Sequence, residues 1–175
     1  MLSALRRGWS GSPATNQQDA ANVWDTNYKG VWHLKESGNG TAGEFKDSTS
    51  NGNHGQGGSG TAGNVPTQVD GWMGKGQNFD GTNDHINIGT PASLNITGTA
   101  ITLHAWIRFP TAPVPLGCSG NDCFYGILHK GGYNSGYRFL ITPSGRVDFE
   151  LTNFAGYGIY SQTTLSTNTW YHVEL

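Results

Sequence analysis

The stretch ITLHAWIRF, residues 101–109, constrains the fold of this chain more than any other. Ile101, Leu103, Ala105, Ile107 and Phe109 occupy alternate positions, and Thr102, His104, Trp106 and Arg108 lie between them. A period of two puts one set on each side of an extended backbone, so the segment reads as a strand with one face in a core. Shorter segments repeat the pattern. In VWHLK, Trp32 and Leu34 alternate with His33 and Lys35, and in HINI, Ile86 and Ile88 share a side. GQNF, YGILHK, YRFLIT, YGIYS and WYHVEL read the same way. In RVDFEL, Val147, Phe149 and Leu151 are predicted to point inward, with Asp148 and Glu150 on a solvated outer face. TPSG carries Pro and Gly at turn positions and predicts a tight hairpin. No segment of ten or more residues keeps helical spacing, and a single turn around PASLN is the one helical expectation. About nine short strands with turn chemistry between them predict an all-β chain, an antiparallel two-sheet β-sandwich of the jelly-roll type.

Composition sharpens the reading in two places. With 27 glycines and only 13% charged residues, the polar surface is built from amides and hydroxyls. The stretch from Ser37 to about Gly71 accordingly reads as one long polar loop. A net charge of -2 supplies no attraction for nucleic acid or an anionic membrane, and no apolar run has the length of a membrane span. Residues 1–23 read as an irregular linker or the tail of a preceding domain, and 24–175 as one β-sandwich domain. Because the chain stops inside the predicted strand WYHVEL with no closing turn, the domain is expected to be truncated and to continue past Leu175. MLSALRRGWS has its basic residues after a short apolar stretch, not before a long one, and does not read as a signal peptide.

Two loops offer oxygen ligands at alternating positions. Asp47, Thr49, Asn51 and Asn53 imitate the first half of a calcium loop, and Asp80, Thr82 and Asp84 in FDGTNDHINIG form a shorter version. No acidic residue closes either loop, the twelfth position of the first being Gly58. The competing reading is a turn in which Asx side chains accept the loop's own backbone amides. Calcium held by Asp47, Asn51, Asp80 and Asp84 and turns without metal both stay open. Asp148 and Glu150, two residues apart on a strand, share a face with Cβ atoms roughly 7 Å apart. His33, His104 and His172 alternate within strands and make no metal signature. Sugar rings stack on aromatic side chains while amides hold their hydroxyls, and Tyr133, Tyr137 and Tyr157 with Asn134 and Asn153 supply both in GGYNSGY and NFAGYGIY. Trp106 is divided between burial in a second layer and sugar contact. Cys118 and Cys123 are read as a local disulfide or as two free thiols. Asn39 and Asn95 match the glycosylation acceptor pattern.

The segments VWHLKES, DSTSNGNHG, GKGQNFDGTNDHINIG, SLNITGTAITLHAWIRF, ILHKGG and TNTWYHVEL, in this order, resemble the concanavalin A-like lectin/glucanase domains of the laminin-G-like branch found in bacterial and phage surface proteins. The resemblance covers residues 24–175. It implies a two-sheet jelly roll with a concave face, and loops that in many relatives bind sugars or hold calcium; it does not imply catalysis. The Glu-x-Asp-x-x-Glu pattern of the superfamily's glucanases is absent, since Asp148-x-Glu150 supplies two acids where three are wanted. The expected function is a non-catalytic recognition module of a secreted, cell-surface or virion protein, set among the neighbouring domains of a longer modular chain. Its partner would be a glycan or surface glycoprotein. A structural or adhesive module contacting proteins is the alternative, and a glycoside hydrolase remnant a third.

Overall fold

The computed structural model describes residues 19, 23–110, 124–131, 136–151 and 158–175. Among the described residues the strands are β1 (Gln56–Gly57), β2 (Thr67–Asp70), β3 (Lys75–Asn78), β4 (Ile86–Asn87), β5 (His104–Ile107), β6 (Tyr125–Lys130), β7 (Tyr137–Ile141), β8 (Val147–Leu151), β9 (Gly158–Tyr160) and β10 (Tyr171–Glu174). The described pairings are antiparallel: β1 with β4, β2 with β3, β5 with β10, and a four-stranded sheet in the order β6-β7-β8-β9. Single 3-10 turns at Gly58–Gly60, Ala62–Asn64 and Ala92–Leu94 join them, the last where PASLN predicts one. The architecture is thus all-β and antiparallel, as in concanavalin A-like sandwiches.

The predicted alternation in ITLHAWIRF is present. Residues 101–108 alternate between half-buried and exposed, and Phe109 is buried. The TPSG hairpin closes as predicted, with Gly145 N donating to Thr142 O at 2.8 Å and Gly145 at a φ of 75°. The long polar loop is more structured than its composition suggests. Between Ser37 and Gly71 lie β1, β2, two 3-10 turns and the isolated bridge Phe45 to Gly55, and a second bridge ties Asp47 back to Trp32.

Phe45 explains that order, because it has no exposed surface and its ring fills the middle of the segment. Burying such a side chain contributes about 1.5–3 kcal/mol. The glycines around it are spacers: a Cβ at Gly55 would lie 2.5 Å from Ile86 Cγ2, and one at Gly38 would lie 2.7 Å from Phe45 Cζ. Ile86 and Ile88 therefore do point inward. On the four-stranded sheet, Phe139, Phe149 and Ile159 form one cross-strand row, buried at its first two positions and 67% exposed at the third. The core thins out toward β9.

Candidate functional site

Pairing of β5 with β10 sets His172 opposite Trp106 and Glu174 opposite His104. Directly opposed residues share one side of a sheet. On this side His104, Trp106, Arg108, His172 and Glu174 are all exposed. A second element adds to the patch. The turn between β2 and β3 is closed by Gly71 N donating to Gly74 O at 2.9 Å and by a 2.6 Å ion pair between Lys75 and Asp70. That turn displays Trp72, 59% exposed, and Met73.

The Trp72 and Trp106 rings stack with centroids 5.6 Å apart and planes inclined by 17°. Nearly parallel rings at that separation are offset against each other and leave no slot between them, so the pair offers its outer surfaces. The His172 ring lies 5.3 Å from Trp106, and His104 lies 5.5 Å from His172. At the far end Arg108 sits 5.3 Å over the Trp170 ring. An exposed aromatic ledge bordered by imidazoles, a guanidinium and a carboxylate can stack a flat apolar face and hydrogen-bond its edges. Trp106 is 42% exposed, which sets aside its burial in a second layer. Trp72 escaped the sequence reading, although a tryptophan between Gly71 and Gly74 is a signal for an aromatic held out on a turn.

The pair Asp148 and Glu150 is on one side of β8, as alternation requires, together with Arg138 and Leu140 of β7 and Tyr160 of β9. His129 of β6 stands opposite Arg138. The predicted solvated face is wrong for Asp148, which is completely buried. Neighbouring strands cover it. Leu140 and Tyr160 flank it across the sheet, and its Oδ1 lies so close to Gly158 that a Cβ there would be 2.8 Å away. Leu151, predicted inward, is 40% exposed. Glu150 pairs with Arg138, whereas neither Asp148 oxygen has a hydrogen-bond partner.

Burial, and then the charge of Glu150, push the Asp148 carboxyl up to about 6, with Arg138 acting in the opposite direction. The Asp148 charge in turn raises the Tyr160 phenol above its ordinary value.

The two candidate calcium loops are organised as turns. Asp47 Oδ1 accepts from Val31 N and Thr49 N, both at 2.9 Å, while Oδ2 accepts from Thr49 Oγ1 at 2.8 Å and Asn53 N at 2.9 Å. Asn51 donates from its side chain to Tyr28 O at 3.0 Å. In the second loop Asp80 Oδ1 accepts from Thr82 N at 2.8 Å and Asn83 N at 3.3 Å, and Asp84 Oδ2 accepts from Asp80 N at 2.9 Å. The Thr82 amide is the main cause that holds the Asp80 carboxyl below its ordinary value. Among the described residues no three His, Cys, Asp or Glu side chains are grouped to hold a metal ion.

Of the predicted sugar contacts, Tyr137 is buried and its hydroxyl donates to Leu94 O at 3.1 Å. Strand β7 turns it into a groove of about 410 Å³ also lined by Ile96, Ile101, Lys130 and Leu151. Tyr133, Asn134, Asn153, Tyr157, Cys118 and Cys123 lie outside the described residues, as does all of the predicted 1–23 linker except Asp19 and Val23.

Comparison with known proteins gives one family. A laminin-G-type family model, described as the concanavalin A-like lectin/glucanases superfamily, matches residues 80–174. No curated protein and no solved structure matches the chain.

Proposed function

The chain belongs to the concanavalin A-like lectin/glucanases superfamily, and from that premise we propose that it is a carbohydrate-recognition module, without catalysis on the glycan it holds, whose contact surface is the exposed side of β5 and β10 together with Trp72. Membership supports a carbohydrate- or protein-binding module in general. The observation that carries the finer reading is the exposed Trp72–Trp106 stack. A pyranose presents an apolar C–H face and a rim of hydroxyls. The indole ledge matches the face, and His104, His172, Arg108 and Glu174 around it match the rim.

The acid pair supports a role without glycoside hydrolysis, because a catalytic acid must reach its substrate. Asp148 is sealed beneath its neighbours, and Glu150 is engaged by Arg138. The carboxylates of Asp47, Asp80 and Asp84 are occupied in holding their own turns. A secreted, cell-surface or virion setting is part of the same proposal, since that is where glycans are met.

One observation favours a second reading. Met73 is 70% exposed beside Trp72, and a patch of Met and Trp is also what a protein interface uses. A glycan array followed by titration of the best-binding saccharide, monitored by tryptophan fluorescence, separates the two. Trp106→Ala should weaken binding about tenfold, Trp72→Ala should weaken it less, and alanine at Trp24, which packs on Tyr28 elsewhere, should leave it unchanged. Absence of any saccharide ligand, or binding indifferent to both ledge variants, would overturn the proposal.

A further inference from the structure

A second surface of the molecule, unconnected with the sugar reading, carries a different chemistry. Strands β1 and β4 pair Gln56 with Asn87 and Gly57 with Ile86, and Gly58 N donates to His85 O at 2.8 Å beyond the ladder. This register sets Ser59, in the 3-10 turn after β1, beside His85 and Asn87. Ser59 Oγ lies 2.9 Å from His85 Nε2, His85 Nδ1 lies 2.9 Å from Asn83 O, and Asn87 Nδ2 lies 3.0 Å from Ser59 Oγ. At the end of the chain of contacts Gly89 N donates to Asn87 Oδ1 at 2.8 Å.

Backbone groups at the two ends fix every hydrogen-bond direction between them. A carbonyl only accepts, so His85 Nδ1 carries the ring proton and the lone pair of the neutral imidazole is on Nε2. A backbone N–H only donates, so the Asn87 atom it meets is the oxygen, and the amide nitrogen faces Ser59. Ser59 Oγ therefore accepts from Asn87 and donates its own proton to His85 Nε2. This is the polarity required of a nucleophile and its general base, with the base oriented by a third group. The serine is also held at φ 50° and ψ 32°, a left-handed conformation that non-glycine residues adopt at a cost of about 1 kcal/mol or more and that concentrates at functional positions. Ser59, His85 and Asn87 are all exposed, so a small molecule can reach them.

We propose that Ser59 is an activated nucleophile that takes acyl groups from small esters, with His85 as its general base and Asn87 Nδ2 as a donor to the developing oxyanion. Ser59 Oγ bonds to the acyl carbon as its proton passes to His85 Nε2. The ester C–O bond then breaks, and the alcohol leaves with that proton. Water regenerates the serine: its oxygen bonds to the acyl carbon while a proton goes to Nε2, the Oγ–acyl bond breaks, the proton returns to Oγ and a carboxylic acid is released. The net reaction is ester plus water to acid plus alcohol.

Incubation of the full chain with 4-nitrophenyl acetate, with acetylated residues mapped by peptide mass spectrometry, tests this. Ser93 is the internal reference, because its hydroxyl donates at 3.0 Å to Asn53 Oδ1, an amide oxygen that takes no proton. Ser59 should be acetylated at least about tenfold faster than Ser93. His85→Gln should slow Ser59 on the order of 100-fold and leave Ser93 unchanged. Ser59→Gly, which relieves the backbone strain as it removes the hydroxyl, should abolish the adduct in a chain that unfolds no earlier than the parent. Labelling of Ser59 no faster than Ser93, or a Ser59 rate unaffected by His85→Gln, would overturn the assignment.

Discussion

Asp47 and Asp148 are both buried carboxylates, one in the polar segment before β1 and the other in the middle of the four-stranded sheet, yet their surroundings are opposite. Asp47 accepts four hydrogen bonds, three of them from backbone amides. Asp148 accepts none. A loop can curl its own N–H groups onto a side chain, and a ladder cannot, because strand amides are already committed to neighbouring strands. The same residue type is therefore a fastener in one region and a burden in the other, one that is relieved when the carboxyl takes up a proton below about pH 6.

Substitutions at these positions separate the two cases. The largest effect belongs to Asp47→Ala, which orphans the amides of Val31, Thr49 and Asn53; at about 1–3 kcal/mol for each unsatisfied buried donor, the loss is on the order of 4 kcal/mol in denaturant unfolding. Asp148→Asn goes the other way. The native carboxyl titrates near 6 and an ordinary aspartate near 3.8, so between those values the folded state binds more protons than the unfolded one. Stability falls as pH rises through that window, and above about 6 the full penalty, about 3 kcal/mol, is present. Asparagine removes the charge at nearly unchanged side-chain volume. The variant should exceed the parent by about 2–3 kcal/mol at pH 8 and lose the acid-side slope.

Glu150→Gln sharpens the comparison with a smaller shift. It removes the second cause of the raised value and leaves burial, the first, in place. The midpoint in pH-dependent unfolding should move down without reaching that of a free aspartate. Asp80→Ala gives the smallest change. Its two amide contacts resemble those of Asp47 but lie in water, and its unfolding midpoint should stay closest to the parent's.

The same contrast explains what the residues disclose before any coordinates. Alternation in ITLHAWIRF and RVDFEL correctly assigns sides, because the side of a strand on which a residue lies is a local property. Whether that side meets water depends on strands brought in from elsewhere. Asp148 shares a side with Glu150 as predicted, and Leu140 and Tyr160 then close over it from β7 and β9. The Trp72–Trp106 ledge has the same character, joining a turn to a strand more than thirty positions away. Alternation also says nothing of Tyr137, whose fate rests on a carbonyl at Leu94. The segment from Ser37 to Gly71 misleads for another reason. Its glycines and amides have the composition of a free loop, but Glu44 draws in the amides of Asn39, Gly40, Thr41 and Gly57, and Phe45 is packed in between.

The glycine packing around Phe45 has a practical corollary for anyone grafting peptides or attaching probes to this scaffold. The segment that looks most permissive is the wrong host, since Gly38, Gly55 and Gly57 each lack room for even one extra carbon. Gly98, outside that segment, is the natural entry point, because a methyl group there meets nothing within 4 Å and its backbone does not demand a left-handed turn.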